Sequence, residues 1–301
     1  MTDWPELSVE RDHETLALLH LASQMLGKLR VAHAPWMNHG WHSALQPNAR
    51  GLGILPTAAS EGRTFTLTLD LCRHAIVLWV SDGSREEVPL NAGSIAALHR
   101  RLIRILEQHG LPLDFNGRPS ELPEAVPFAD DTARREYDRG SAERLREALA
   151  AMLPVFARFR AGFAGKASPV HFWWGAFDLA VSRFSGRSAP PHPGSVPGLP
   201  DRIAREAYSH EVSSAGFWAG GATPAEPFFY SYIYPEPPGF RDAPVAAWDA
   251  DLGEFVLPYA EVRAAPNPEA ALTAFLTATY EAAAELAKWD RPALERDPVA
   301  P

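Results

Sequence analysis

The chain has almost no cysteine: Cys72 is the single one among 301 residues. A disulfide within the chain is therefore excluded, which suits a reducing compartment. Because Cys72 lies in an apolar alternating run, we interpret it as a small buried side chain rather than a nucleophile.

The sequence also has no long apolar run and no basic patch. No run approaches the roughly 20 residues of a membrane-spanning helix, and the N-terminal MTDWPELSVERDHE lacks the pattern of a signal peptide. The formal net charge is −9, and the arginines alternate with Asp and Glu, so the surface should repel nucleic acid. We therefore predict a soluble, cytoplasmic protein that binds neither membranes nor nucleic acid.

The common catalytic motifs are missing as well. The sequence has no Walker loop, no G-x-G-x-x-G and no H-E-x-x-H, so neither a nucleotide cofactor nor a metalloprotease site is indicated. A G-x-S-x-G motif is absent, and consecutive Ser209, His210 and Glu211 cannot form a triad on one strand.

The sequence does contain clear periodic patterns. Helical spacing predicts four helices: 10–30 with Ser8 as cap, one after Ser94, one after Ser141 with a kink at Pro154, and one from Asn267. Alternation predicts strands in six segments: 63–71, 75–90 with a turn at Asp82-Gly83, 169–184, 210–218, 227–235 and 253–259. These elements predict an α+β fold of mainly antiparallel sheets with packed helices.

The elements occur twice in the order helix, strands, helix. The segments WMNHGWHSALQPNARG (36–51) and HFWWGAFDLAVSRFSG (171–186) both follow a helix and carry Gly at their fifth and last positions. One interpretation is two pseudo-symmetric halves, 1–111 and 141–290, joined by 112–140 and followed by a tail, 291–301. The other is a chance match between common residues.

Several blocks resemble a known family. APWMNHGWHSALQPNARGL, GKASPVHFWWGAFDLAVSRFSGR, PPHPG and REAYSHEVSSAGFWAGG occur in the order of the signature blocks of an uncharacterised bacterial family, a domain of unknown function. The resemblance extends from WPEL to ATYEAAAELAKWDR, which is nearly the whole chain. It implies a full-length family unit and supplies no reaction, cofactor or site residue.

Histidines suggest one kind of site. His39 and His42 form an H-x-x-H pair, and the proline-held His192 could complete a site for a divalent metal such as Zn²⁺ with His39, His42, His171 or His210. The competing interpretation is that Trp36 and Trp41 fill a core while the histidines bond nearby backbone.

Acid–base candidates lie on the predicted strands. His210 and Glu211 should face opposite sides of one strand, and a continuous strand would place His171 and Asp178 on opposite faces. Asp178 among aromatic residues needs a partner, so a structural ion pair with Arg183, Arg187 or Lys166 competes with catalysis. The catalytic candidates are therefore His210, Glu211, Asp178 and His171.

Aromatic and cationic residues suggest a ligand site outside the helices. Ring side chains with polar tips suit pockets, and cations bind carboxylates or phosphates. The ligand-binding candidates are Trp36, Trp41, Trp174, Trp218, Lys166, Arg183 and Arg187. Our first hypothesis is an enzyme acting on a small polar or anionic molecule in a Trp/His-lined cleft. The alternatives are a non-catalytic binding protein and an interaction or oligomerisation module whose interface the aromatic residues form.

Overall fold

The computed structural model describes residues 4–195 and 200–296. The helices of this part are α1 Val9–His33, α2 Ile95–Gln108, α3 Arg139–Ala161, α4 Asp201–Ala207, α5 Tyr259–Ala264, α6 Pro268–Leu286 and α7 Arg291–Leu294. Short 3₁₀ turns occur at Asn38–Gly40, Ser60–Gly62 and Phe240–Asp242. None of the described helices is long and apolar enough to cross a membrane.

The strands form two large antiparallel sheets. The first sheet has the order β1-β2-β4-β5-β6, with β3 also paired to β4, and the second has the order β13-β14-β12-β11-β10-β9. Strands β7 and β8 pair separately. The strand bounds are β1 Gln46–Asn48, β2 Gly51–Gly53, β3 Thr57–Ala58, β4 Thr64–Asp70, β5 Ala75–Val80, β6 Arg85–Pro89, β7 Gly93–Ser94, β8 Arg134–Arg135, β9 His171–Trp173, β10 Asp178–Ser188, β11 His210–Trp218, β12 Phe228–Tyr234, β13 Ala247–Asp249 and β14 Glu254–Pro258. The predicted α+β class with antiparallel sheets is confirmed.

Side-chain caps determine where the helices begin. Ser94 and Asn267 accept hydrogen bonds from the backbone N–H groups of Ala97 and Ala270, as the sequence predicts. Helix α3 begins at Arg139, before the predicted start, because Asp138 rather than Ser141 is its cap. The helix continues through Pro154.

Helix α1 is buried on all sides between Thr15 and Arg30. Its Ser8 makes no side-chain cap bond; instead the Ser8 N–H donates to Asp12 Oδ2 at 3.0 Å. Helix α1 contacts α2, α3 and strands β3 and β4. The fold therefore covers both faces of this helix.

The two sheets meet at one backbone bridge. Leu45 and Phe172 exchange two N–H···O bonds of 2.9 Å, which joins the segment before β1 to β9. One continuous hydrophobic cluster includes residues from both predicted halves, such as Leu67, Leu102 and Phe217. Neither pseudo-symmetry nor duplication is supported, since 36–51 is mostly irregular whereas 171–186 is a hairpin.

The prediction for Cys72 is wrong. Its side chain is exposed in the turn between β4 and β5. The alternating pattern ends at Asp70, which accepts a hydrogen bond from the Cys72 N–H at 3.1 Å and so closes the turn.

Among the contacts between α1 and α3, we expect those of the Asp12 carboxylate to lose the most stabilising free energy at acid pH. It is fully buried and accepts hydrogen bonds from Arg144 at 2.5 Å and Ser141 at 2.7 Å. Burial alone would raise its pKa, but bonds from Arg11, Arg144, Ser8 and Ser141 lower the pKa to about 2. This stabilisation, about 2 kcal/mol, is present above pH 4 and is lost as the pH falls towards 2.

We expect Asp12→Asn to lower the free energy of unfolding at pH 7 by about that amount. The deficit should shrink on acidification, as measured by urea denaturation between pH 7 and pH 3. Glu147→Gln, which removes an exposed carboxylate from α3, is the control and should change little. An equal deficit for Asp12→Asn at every pH would contradict the assignment.

Candidate functional site

A turn splits the segment that the sequence analysis treated as one strand. Strand β9 ends at Trp173, β10 begins at Asp178, and Phe177 between them has a φ of 68°. Asp178 therefore pairs with Trp173, and Ala180, two residues further along β10, pairs with His171. Because paired residues share a face, His171 and Asp178 lie on the same face, contrary to the prediction.

This face of the second sheet, here called the polar face, collects hydroxyl, carboxyl and aromatic side chains. Register places Asp178 opposite Trp218, and Ser214 opposite both Ser182 and Tyr232. By pairing and alternation the polar face comprises His171, Trp173, Asp178, Ala180, Ser182, Phe184, Val212, Ser214, Gly216, Trp218, Phe228, Tyr230, Tyr232, Tyr234, Glu254 and Val256. The other face carries Phe217, Phe229 and Phe255 into the hydrophobic core.

Tyr230 crosses strand β11 to reach Asp178. Its hydroxyl donates to Asp178 Oδ2, and Gly216 of the intervening strand makes room for the ring. A Cβ on Gly216 would lie 2.4 Å from the Tyr230 hydroxyl oxygen, so a side chain there would displace the tyrosine. Burial raises the pKa of Asp178 to about 7, and the Tyr230 hydrogen bond opposes part of that rise.

A second row of hydroxyl groups lies beside this pair. Ser182 and Ser214 share a hydrogen bond of 3.0 Å, and the hydroxyls of Tyr232 and Tyr208 share one of 2.9 Å. The Tyr230 and Tyr232 rings stack with centroids 6.2 Å apart. Burial raises the pKa of Tyr208 to about 12, so its hydroxyl keeps its proton at neutral pH.

Two further acids face Asp178. Burial and the Asp178 carboxylate raise the pKa of Glu121 to about 7, while Lys28 opposes the rise. Burial, Asp178 and Asp249 raise the pKa of Glu254 to about 8. We name the resulting group the acid–tyrosine cluster: Glu121, Asp178, Tyr208, Tyr230, Tyr232 and Glu254.

The loop that carries Glu121 is fixed by helix α1. Gln24 accepts from the Ser120 N–H at 2.7 Å and donates to the Ser120 carbonyl at 2.9 Å. Lys28 donates to Ser120 Oγ at 2.9 Å. His20 accepts from the Ala222 N–H through Nδ1 and so donates from Nε2 to the Gly175 carbonyl at 2.9 Å, which anchors the turn before Asp178.

The opposite end of the polar face is basic and aromatic. Lys166 Nζ lies 2.5 Å from His39 Nε2, and the His39 ring packs 4.4 Å from Phe184 and 5.7 Å from His210. The Trp41 ring contacts Phe184 and, at 6.2 Å, the His171 ring. Burial and Arg160 lower the pKa of His171 to about 4, and its buried Nδ1 has no hydrogen-bond partner among the described residues.

The structure places three candidates away from this face. Glu211 faces the other side of β11, where it pairs with Arg187 at 2.6 Å and accepts from Ser185. Arg187 also donates to the Ala287 carbonyl. Arg183 is buried 3.5 Å from the Phe159 ring centroid and donates to the Phe159 carbonyl. These contacts occupy each group, so the suggested pairing of Asp178 with Arg183 or Arg187 is wrong.

Four other candidates lie around the edge of the site. Trp174 packs against Gly27 and donates to the Ser43 carbonyl at 2.9 Å. Trp36 is 47% exposed, which contradicts its interpretation as a core residue. His42 accepts from the Met37 N–H at 3.2 Å. His192 stacks on Tyr208 with centroids 4.6 Å apart.

The five histidines of the metal hypothesis do not converge. Within residues 4–195 and 200–296, no group of three His, Cys, Asp or Glu side chains is arranged to hold a metal ion. His39 and His210 are neighbours, but His42 and His192 lie against Trp36 and Tyr208 respectively.

Sequence reasoning missed most of the acid–tyrosine cluster. The alternating tyrosines of FFYSYIY are visible in the sequence and predict one tyrosine-rich strand face. Glu121 comes from an irregular loop without periodicity, so no local pattern could connect it with Asp178 or Glu254.

Asp178 should make the protein less stable as the pH rises. In the unfolded chain its carboxyl ionises near pH 4, whereas the folded protein keeps the proton to about pH 7. The folded state therefore binds more protons in this window, and this part of the stability falls until about pH 7. Glu121 and Glu254 act in the same direction.

We expect Asp178→Asn to gain stability relative to the native protein by on the order of 3 kcal/mol between pH 4 and pH 7.5. Urea unfolding at four pH values measures this difference. Tyr230→Phe removes a donor that favours the ionised carboxyl, so its relative stability should fall over the same range. A constant offset for Asp178→Asn would show that this carboxyl has an ordinary pKa.

Comparison with known proteins gives one family and no characterised relative. No match was found among curated proteins or among solved structures. A family model described as a family of unknown function (DUF5996) matches residues 4–296. Because the match covers nearly the whole chain, including both sheets and the acid–tyrosine cluster, the chain belongs to this family of unknown function.

Proposed function

We propose that the protein is an enzyme that acts on a small polar molecule at the acid–tyrosine cluster. In this proposal Asp178 transfers a proton to or from the bound molecule. One observation carries the proposal: Tyr230 crosses Gly216 to bond the buried Asp178. That contact brings hydroxyl groups from β12 and carboxyl groups from β10, β14 and a loop to one place.

The chemistry of Asp178 favours catalysis over simple binding. A carboxyl group with a pKa near 7 can both accept and donate a proton at neutral pH, which general acid–base catalysis requires. The Tyr230 hydroxyl fixes the orientation of the carboxyl. Titratable groups with shifted pKa values that lie together on an otherwise ordered sheet are typical of active sites.

The charges narrow the substrate class. Glu121, Asp178 and Glu254 belong to the cluster, whereas Lys28, the cation that lowers the pKa of Glu121, is bound to Ser120. An anionic molecule would be repelled once these acids ionise. We therefore narrow the sequence hypothesis to a neutral or cationic molecule with hydroxyl or amino groups, which Trp218 beside Asp178 could contact by stacking.

A second place on the surface is a weaker candidate. An open groove of about 540 Å³ lies between Trp4, Arg158 and the first turn of α6. Arg158 already pairs with Glu269 there at 2.5 Å. The two charged side chains of the groove therefore bind each other, so the groove offers shape without a free charged group.

Ligand charge tests the binding part of the proposal. Using ligand-detected NMR, we expect glucosamine to bind at least about tenfold more tightly than glucose 6-phosphate, a difference of about 1.4 kcal/mol. Asp178→Ala should weaken glucosamine binding. Glu211→Gln, on the opposite face of the same sheet, should leave the affinity unchanged. Tighter binding of the phosphate would contradict the assigned substrate class.

Turnover tests the catalytic part. The protein is incubated with a mixture of small amino and hydroxy compounds, and their conversion is followed by mass spectrometry. For any compound converted, Asp178→Asn should lower kcat by roughly 10²- to 10⁴-fold, the range of a general acid or base. Binding without conversion would identify a binding protein instead, and full activity of Asp178→Asn would exclude Asp178 from the chemistry.

A further inference from the structure

Lys166 lies at the opposite end of the polar face from Asp178. Its carbonyl accepts from the Phe184 N–H at 2.9 Å, so the segment runs beside β10. Its Nζ lies 5.2 Å from the Phe184 ring centroid and 5.7 Å from that of Trp41. Throughout the part of the chain that the structure describes, no carboxylate oxygen lies within 4.0 Å of this amine. The side chain is exposed, so a solute can reach it.

His39 presents a lone pair to this amine. Its Nδ1 lies 3.1 Å from the Ala207 carbonyl, a contact that Nδ1 can make only as a donor. In the neutral ring Nε2 is then an acceptor, and Lys166 Nζ lies 2.5 Å from it. The ring is held firmly: it packs on Phe184, and its residue adopts a φ of 57°, which surrounding contacts must maintain.

The surroundings favour the uncharged form of the Lys166 amine. Burial lowers the pKa of Lys166, and the Glu206 carboxylate opposes this only in part. Burial and Lys166 also lower the pKa of His39, so the imidazole is neutral at pH 7. His210, with its ring centroid 5.7 Å from that of His39, is a further titratable group beside this pair, in addition to Glu206.

We propose that Lys166 is a nucleophilic lysine that forms an imine with a small planar aldehyde, with His39 as its proton acceptor. An amine without a carboxylate partner, held beside an imidazole lone pair, is the arrangement that activates lysine towards carbonyl groups. The rings of Trp41 and Phe184, which contact each other beside the amine, offer aromatic surface that favours a flat ligand. This site is separate from the acid–tyrosine cluster and does not depend on it.

The step balances without any further reactant. The Lys166 ammonium gives a proton to His39 Nε2, and the free Nζ lone pair forms the C–N bond while the carbonyl π electrons move to oxygen. His39 returns its proton to that oxygen, giving a carbinolamine. A second proton leaves nitrogen through His39, and the hydroxyl departs as water to leave the imine. No oxidation or reduction occurs.

Because the chain has few lysines, the labelling rate of each one can be measured separately. The chain has three lysines, Lys28, Lys166 and Lys288. Lys28 is buried and bonded to Ser120, whereas Lys288 is exposed. The folded protein is treated at pH 7 with pyridoxal and sodium cyanoborohydride, which reduces the imine to a stable amine. Peptide mass spectrometry then gives the labelling rate of each lysine.

We expect Lys166 to be labelled at least about tenfold faster than Lys288. This ratio is below the usual rate effect of a positioned base, so it is a conservative expectation. Lys28 should stay unlabelled. His39→Gln should reduce the ratio of the Lys166 and Lys288 rates several-fold, whereas His42→Gln, three residues away, should not. Equal rates for Lys166 and Lys288 in the native protein would overturn the proposal, and this comparison requires no variant to fold.

Discussion

The structure depends on the burial of helix α1 with its polar side chains. A helix buried on every side must satisfy each polar group within the protein, because an unpaired one costs about 1–3 kcal/mol, and more if it is charged. Asp12, His20, Gln24, Lys28 and Arg30 are all buried and all bonded. Their partners come from α3, from the loops around residues 42, 56, 120 and 222, and from the turn at residue 175. The helix therefore aligns segments that are far apart in sequence, and the two sheets pack around it.

The candidate site follows from this alignment. Gln24 holds the backbone of Ser120, and so places Glu121 beside the second sheet. His20 holds the Gly175 carbonyl in the turn that reverses the chain into Asp178. The acid–tyrosine cluster thus joins two segments that both depend on α1. Placing acids together without neutralising them lowers the stability of the folded protein. The continuous hydrophobic core on the other face of the sheet offsets this loss. An enzyme site commonly sacrifices stability in this way.

The sequence predicted those features that depend on local rules. Caps at Ser94 and Asn267, the hairpin of β5 and β6, and the strands β11 and β12 follow from periodicity and turn chemistry, and all are present. Local rules failed where a turn interrupts an alternating run: the reversal before Asp178 changes the face of every later residue of that segment. The burial of the polar side of α1 could not be predicted, because the partners of its polar groups come from distant loops. The convergence of Glu121 with Asp178 is likewise a tertiary contact that no spacing encodes.

The polar face has two ends of opposite chemistry, and the separation between them limits what one ligand can do. Asp178 and Phe184 lie six residues apart along β10, a distance of about 20 Å at 3.3 Å per residue. At that distance the carboxyl groups of the acid–tyrosine cluster cannot form an ion pair with the amine of Lys166. Each end instead keeps its own electrostatic environment: acids repel one another at one end, and at the other, within the described residues, an amine has no carboxylate in direct contact. An ionic partner at either end would restore ordinary pKa values and remove the reactivity. The lack of an ion pair between the two ends, among the residues that the structure describes, is therefore what the two proposed roles require.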